Sequence, residues 1–251
     1  IEGMSRSFEV RASGLVIGTI IAAGLTSLAF MGNYTYFGTS AAVMPFGYDW
    51  LAVVVCGVVG GLLGGLFSRL LILFAFGFPG RFGDWVKAHP IIFAGACGLA
   101  VAICGIASGG TVYGTGYEQA RAVLHDQKDL SFFYAPLKFL ATMLSSISGI
   151  PGGIFSPSLS VGAGIGADMA WLFPTTPIGA LVLLGMVSYF SGVVQAPITA
   201  FVIVAEMTDN HSLMVPLMLA ALVAQGASRL VCKEGIYHAL SKKFIQQQPS
   251  A

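Results

Sequence analysis

Charged side chains are scarce in this sequence. Its 251 residues include 12 Lys and Arg and 11 Asp and Glu, together 9 % of the chain, against about 25 % in ordinary globular domains. The stretch from 139 to 205 carries a single charge, Asp168. Because a soluble domain could not keep so apolar a stretch in water, the sequence predicts an integral membrane protein.

Several functional classes lack their usual signals. The net charge of +1 gives no sign of a nucleic-acid surface, and no phosphate-binding loop is present to drive transport with ATP. The four cysteines have no metal-ligand spacing, so we interpret them as small buried apolar residues. The four histidines lie in unrelated loops or ends without the His/Cys/Glu spacing of a metal site, and we expect neither a metal site nor a cofactor.

Long apolar segments are present, and they fall into two groups. Residues 12–31, 50–75 and 90–107 come close to the 20 or so residues that a bilayer requires, and the polar insertion 116–130 predicts a short helix near one surface. From residue 132 the segments are shorter and are interrupted by Gly and Pro. We expect helices over 132–147, 155–173, 178–192, 196–208 and 212–229. Short, broken segments of this kind are typical of transporters.

Glycines recur at every fourth residue in several apolar segments. The series are Gly57, Gly61 and Gly65; Gly60 and Gly64; Gly14 and Gly18; and Gly162 and Gly166. This spacing predicts helices whose backbones approach closely.

The segment "GGIFSP" predicts a helix start near Phe155 that can hold an anion. The first N–H groups of a helix have no internal partner and lie at the positive end of its dipole. Gly152 and Gly153 have no Cβ to block the N–H groups of Ile154 and Phe155, and Pro157 fits a first turn. Backbone amides bind an anion weakly, which suits a pore. The alternative is a packing turn that only reverses the chain.

Three motifs in order resemble one family, the CLC chloride channels and chloride/proton antiporters. "GGIFSPSL" followed by "GAGIG" is similar to the family's G-I-F-x-P motif, with Ser156 at the variable position. "SGVVQAPITAFVIVAEMTDN" resembles its paired interface helices, and "GIYHAL" falls where the family places its pore tyrosine, here Tyr237. The resemblance covers essentially the whole chain.

The resemblance implies an all-α, polytopic membrane fold of two inverted repeats with short, tilted and broken helices. The family's first-half serine site and gating glutamate do not occur in this chain. We therefore expect one transmembrane domain, 1–251, that forms the C-terminal half of a prokaryote-like subunit without CBS domains. Residues 1–31 would end a preceding helix and supply an interface helix, 50–229 would form the second repeat, and 230–251 a cytoplasmic tail helix with the pore tyrosine.

The function implied by the resemblance is chloride transport, as a channel or as a chloride/proton antiporter, and not an enzymatic activity. Amide N–H groups of Ile154 and Phe155 and the hydroxyl of Tyr237 would hold a central chloride, which is the substrate. The supporting motif residues are Gly152, Gly153, Ser156 and Pro157. The expected partners are the bilayer, the missing N-terminal half and a second complete subunit, in a bacterial inner membrane.

Proton coupling depends on a position near the start of the chain. Proton-coupled members carry a glutamate as the second residue of an acidic pair, and matching the sequences without gaps puts Gly3 there, beside Glu2. Glu2 is the candidate for a proton pathway. Because Gly3 has no titratable group, we expect weak coupling or none.

Two other functional classes remain open at this point. An intramembrane serine hydrolase would need a His or Lys at membrane depth beside a serine such as Ser146 or Ser148, and no histidine falls in the apolar core. An accessory membrane subunit would explain the packing glycines but not "GGIFSP". Among acids in or beside the apolar segments, Asp168, Glu118 and Glu206 are functional candidates by position.

Overall fold

A computed structural model describes residues 10–32, 34–78, 80–127 and 130–247, and this part of the chain is all-α with no strand. The helices are α1 (Val10–Met31), α2 (Trp50–Phe76), α3 (Arg81–Ala88), α4 (Pro90–Ala107), α5 (Tyr117–Leu124), α6 (Tyr134–Ile147), α7 (Phe155–Asp168), α8 (Ile178–Val194), α9 (Pro197–Thr208), α10 (Met214–Val231) and α11 (Ile236–Gln247). A short 3-10 helix, Met169–Trp171, follows α7. The predicted fold class is confirmed.

Most predicted segments coincide with helices, one predicted segment differs, and one helix was not predicted. α3 was not expected: it is short and polar, so hydropathy does not reveal it, and it begins after Gly80 at a φ of 93°. The segment 155–173 is not one helix. α7 ends at Asp168, and the chain continues as the short 3-10 helix before it reaches Pro174. The short helix predicted within 116–130 is α5, and it ends before Asp126, which has a left-handed φ of 53°.

Most described helices after residue 132 are short, as predicted from their interruptions, and α10 with 18 residues is the longest of them. α2, α4 and α10 are long and apolar enough to span a membrane. α7 has 14 residues, which gives about 21 Å at 1.5 Å per residue, whereas the hydrocarbon core of a bilayer is about 30 Å thick. A helix of that length cannot cross on its own, so its ends must be satisfied by other parts of the protein.

α8 lies at the centre of the packed helices. Every residue from Gly179 to Val194 is buried, and α8 contacts α2, α7 and α10. A helix that is apolar on all sides and buried along its length is a core helix. Because α7 and α11 both pack on α8, this helix sets the position of the two segments that carry the candidate residues.

The glycine series on α2 allow it to pack closely against two helices at once. Gly57, Gly61 and Gly65 face α10, whereas Gly60 and Gly64 face α8. A Cβ on Gly57 would lie 2.8 Å from Cγ1 of Val223, and one on Gly64 would lie 2.5 Å from the Tyr189 carbonyl oxygen. Close packing at these positions is confirmed.

The other two glycine series, on α7 and α1, differ from each other in how closely they pack. Gly162 packs closely on α8, since a Cβ there would lie 2.6 Å from the Gly185 carbonyl oxygen. Gly14 and Gly18 on α1 make no such contact, because a Cβ at either would meet nothing within 4 Å. No described helix packs closely on α1, so the prediction for this helix stays a prediction.

Candidate functional site

α7 begins at Phe155, as the "GGIFSP" segment predicts. Ile154 is the N-cap residue, and its carbonyl oxygen accepts the first helical hydrogen bond from the Ser158 N–H at 3.0 Å. Pro157 has no N–H. The N–H groups of Ile154, Phe155 and Ser156 therefore remain as donors, and none of them has a protein acceptor in the described part of the chain.

The electrostatics of this helix start favour an anion. The first turn of α7 contains no acidic residue and no side chain caps it, so nothing neutralises the positive end of the helix dipole. The Ser156 and Ser158 hydroxyl oxygens are also buried without a hydrogen-bond partner. Since an unsatisfied buried hydroxyl costs about 1–3 kcal/mol, a bound anion or water would stabilise this turn.

The two glycines before α7 leave its N–H groups open to approach. Gly152 and Gly153 are exposed, and a Cβ at either position would meet nothing within 4 Å. Neither has a left-handed φ, in contrast to Gly149 at 83°. Since neither packing nor backbone conformation requires glycine at these two positions, access to the amides is the physical reason that remains.

α8 fixes the orientation of the Phe155 side chain. The Phe155 ring meets the Phe190 ring edge-on, with centroids 4.9 Å apart and an interplanar angle of 84°. Edge-to-face pairs of this kind are favourable beyond their buried area. The N-terminus of α7 is thereby held against the C-terminal part of α8.

Tyr237 lies near the same end of α8. It is the second residue of α11 and, like Ile154 and Phe155, is half-buried against the main hydrophobic core. Just before α11, a Cβ on Gly235 would lie 2.5 Å from the Val194 carbonyl oxygen, and Val194 is one helical turn from Phe190. α8 thus brings the surroundings of Phe155 and Tyr237 together at its C-terminal turn.

The Tyr237 hydroxyl is available as a donor. No hydrogen-bond partner is recorded for this hydroxyl among the described residues, and these include the whole first turn of α11. Burial raises the pKa of Tyr237, which follows the last membrane-spanning helix. The hydroxyl therefore stays protonated at neutral pH and can donate its proton to an acceptor.

Gln195 links the end of α8 to the segment that leads into α11. It has a left-handed φ of 54°, and its Nε2 donates to the Cys232 carbonyl oxygen at 2.7 Å and to the Ser228 Oγ at 3.2 Å. Gln225 Nε2 donates to the Gln195 carbonyl oxygen at 3.0 Å. Sequence reasoning missed this residue, although an isolated Gln before Ala-Pro in an apolar run was a signal.

Lys138 on α6 was also missed. It is only 1 % exposed, and its Nζ donates to the carbonyl oxygens of Val112 and Gly114, each at 2.8 Å. A lone lysine inside the apolar segment 132–147 was the available signal, because ionisable residues at membrane depth are functional candidates.

The remaining candidates do not join this site. Asp168 is the last residue of α7 and is half-buried beside an apolar cavity between α2, α6 and α7. Glu118 and Glu206 are exposed, and Glu2 and Gly3 lie outside the described residues. The four cysteines are buried, as predicted.

The serines of this region are not arranged for hydrolysis. Ser146 Oγ donates to the Thr142 carbonyl oxygen and Ser148 Oγ to the Ser145 carbonyl oxygen, each at 2.7 Å. Neither these hydroxyls nor those of Ser156 and Ser158 bond to a His or Lys within the described ranges. A serine nucleophile requires such a base within hydrogen-bond reach.

Comparison with known protein families and sequences matches almost the whole chain. A family model described as voltage gated chloride channel matches residues 1–229. The H(+)/Cl(-) exchange transporter ClcA of Yersinia pestis is 30 % identical over 236 residues, which cover 87 % of this chain and 48 % of the relative. ClcA of Cronobacter sakazakii is 31 % identical over 210 residues, 79 % of this chain and 44 % of the relative. The chain thus spans about half the length of these curated relatives.

Solved structures show the same fold. A CLC-type fluoride/proton antiporter superposes with a TM-score of 0.66 at 23 % identity, covering 79 % of this chain and 49 % of the other. A slow cyanobacterial Cl-/H+ antiporter superposes with a TM-score of 0.60 at 25 % identity, covering 84 % and 50 %. The helix order and packing described above are therefore those of the CLC fold.

Proposed function

The chain belongs to the voltage gated chloride channel family, and from this membership we propose that it forms part of a pore that carries chloride across a membrane. The observation that carries the proposal is the start of α7, where the N–H groups of Ile154, Phe155 and Ser156 have no acceptor among the described residues and follow two glycines. Partial charges on amides hold an anion without trapping it.

The proposed roles are divided between backbone and side chain. Ile154 and Phe155 donate amide N–H groups to the anion, and Tyr237 donates its hydroxyl. Gly152 and Gly153 keep the approach open, and Pro157 leaves the first turn with fewer competing donors. The Phe155 ring narrows the passage, and its contact with Phe190 supports that role. Chloride is the substrate, and no cofactor takes part.

We further propose that the chain is the C-terminal half of a CLC-type subunit. It covers 48 % and 44 % of the two ClcA relatives. Residues 1–31 would be the interface segment, 50–229 the second inverted repeat and 230–251 the tail with Tyr237. The N-terminal half would complete the pore. We call the two halves together the complete subunit. We expect it in a bacterial inner membrane, and its similarity to the ClcA relatives supports this location.

We propose a homodimer, and the exposed faces of α9 and α10 support this assembly. Both helices present large apolar side chains outward, namely Ile198, Val202, Val215, Met218 and Leu222. A homodimer of complete subunits, each with its own pore, would cover them. Light scattering in mild detergent should give the mass of two subunits after correction for bound detergent, and a monomer alone would contradict this assembly.

The function is tested by chloride efflux from liposomes that contain the complete subunit. We expect efflux well above that of protein-free liposomes once a potassium ionophore relieves the charge imbalance. Neither a serine hydrolase nor an accessory subunit predicts such efflux. Efflux equal to that of protein-free liposomes, from protein that remains folded, would refute the proposal.

A further inference from the structure

Asp168 is a half-buried acid for which the described part of the chain supplies no cation. It is the last residue of α7, where the negative end of the helix dipole disfavours an anion, and the last turn of α7 contains no basic residue. Its side chain does not cap the 3-10 helix that follows. Because acids at membrane depth are normally paired, a cation from outside the described chain would stabilise this carboxylate.

The cavity beside Asp168 is apolar along the rest of its lining. It has a volume of about 430 Å³ and lies between α2, α6 and α7. Apart from Asp168, the described residues that line it carry no charge, and they include Val59 of α2, Phe139 and Leu140 of α6 and Ile165 of α7. Apolar walls favour a hydrocarbon chain, whereas the carboxylate favours a cation. The cavity is therefore suited to a molecule that carries both.

The end of α7 lies near one surface of the membrane. The hydroxyls of Thr175 and Thr176, which follow the 3-10 helix, donate hydrogen bonds to the Asp49 carboxylate just before α2. This places Asp168 on the side of the membrane where α2 begins. Trp171, three residues after Asp168, is 89 % exposed, and Trp side chains favour the headgroup region of a bilayer.

From that surface the cavity extends towards the middle of the bilayer. Val59 lines it and is the tenth residue of α2, so it lies about 14 Å along the helix from its first residue at 1.5 Å per residue. Half of a hydrocarbon core about 30 Å thick is a similar distance. The carboxylate is thus at headgroup level and the apolar walls are at the level of acyl chains.

We propose that this cavity binds an aminophospholipid, whose primary ammonium group pairs with the Asp168 carboxylate while one acyl chain fills the cavity. A primary ammonium group donates hydrogen bonds to a carboxylate, and charge-assisted bonds of this kind are strong. A choline headgroup has no N–H to donate, and the net negative charge of phosphatidylglycerol is repelled by Asp168. The site therefore selects phosphatidylethanolamine, and this selection is independent of chloride transport.

Native mass spectrometry of the complete subunit tests the selection. The protein in mild detergent is equilibrated with equal amounts of phosphatidylethanolamine, phosphatidylcholine and phosphatidylglycerol that carry the same acyl chains, and the retained lipid is measured. We expect phosphatidylethanolamine to be retained several-fold more than either of the others. Equal retention of the three lipids would overturn the proposal. Retention of none would also overturn it, and the N-terminal half would then be the occupant of the cavity.

Variants separate the headgroup contact from the acyl-chain contact. Asp168→Asn should bring the three lipids to equal retention, whereas Asp168→Glu should keep the preference. Leu140→Trp should lower retention of all three by filling the cavity, and because Leu140 is 48 % exposed, the change leaves the buried core intact. Glu118→Gln, which alters another acid that is exposed, is the control and should match the wild type.

Gel filtration shows that each variant is folded when it elutes at the wild-type volume. A preference for phosphatidylethanolamine that survives Asp168→Asn would overturn the pairing with the carboxylate. Retention that Leu140→Trp leaves unchanged would show that the acyl chain lies outside the cavity, which equally contradicts the proposal.

Discussion

At the scale of single residues, the site consists of donors that the fold leaves without acceptors. The N–H groups at the start of α7 and the Tyr237 hydroxyl lie against one core and have no protein partner among the described residues. Polar groups in such surroundings are normally satisfied. An anion that contacts both sets of donors would satisfy all of them. Substitution of each donor residue should therefore change the affinity for the anion.

Tyr237→Phe should weaken anion binding by about tenfold. The substitution removes one hydrogen bond to the anion, worth about 1–2 kcal/mol, and leaves the ring in place. Calorimetric titration of the complete subunit with chloride measures the affinity. Tyr48→Phe is the matched control, because Tyr48 is exposed, packs against Phe173 and should not affect affinity.

Gly153→Val should weaken anion binding without unfolding the protein. A Cβ at Gly153 would meet nothing within 4 Å, so the side chain has space, and its methyl groups would cover the N–H groups of Ile154 and Phe155. The melting temperature in detergent should change little while the chloride affinity falls. Gly95→Val is the control, because a Cβ on Gly95 also meets nothing within 4 Å; there both quantities should stay near the wild type.

The sequence allowed the central residues to be predicted but not their surroundings. The helix start at Phe155 followed from local rules, since Gly and Pro before and within a first turn constrain the backbone directly. Lys138 and Gln195 could not be placed in the same way, because their partners Val112 and Cys232 are 26 and 37 residues away along the chain. Long-range pairings of this kind follow from the fold and not from local pattern.

At the scale of helices, small residues decide how the elements meet. α2 packs against α8 and α10 through two glycine series on different faces, and α8 in turn supports α7 and α11. The boundaries of long apolar helices were predictable because hydropathy and helix breakers agree there. The short polar helix α3 and the end of α7 were not, because no apolar periodicity marks them.

Gly64→Ala should destabilise the helix bundle. The added Cβ would lie 2.5 Å from the Tyr189 carbonyl oxygen on the buried helix α8, and backbone on both sides cannot yield freely, so we expect a loss of about 1–3 kcal/mol. Gly95→Ala in α4 is the control: nothing lies within 4 Å of a Cβ there, and alanine is the better helix former. Thermal unfolding in detergent should separate the two; equal melting temperatures would contradict the packing argument.

At the scale of the whole molecule, the proposal of weak proton coupling rests on Gly3, which precedes the described helices. The ClcA relatives are named as H(+)/Cl(-) exchange transporters, but this chain has Gly3 at the position expected for the internal glutamate. The complete subunit should therefore move chloride with little or no proton counter-transport. A pH electrode outside proteoliposomes under a chloride gradient checks this, and uphill proton movement in fixed proportion to chloride would contradict it.

The account as a whole depends on whether chloride passes the start of α7. The most direct test is chloride efflux from liposomes that contain the complete subunit as wild type, Gly153→Val or Gly95→Val at equal protein content. We predict rapid efflux for the wild type and for Gly95→Val, and a marked loss for Gly153→Val. Equal efflux from all three proteins would show that chloride passes elsewhere, and the "GGIFSP" segment would then be a packing turn.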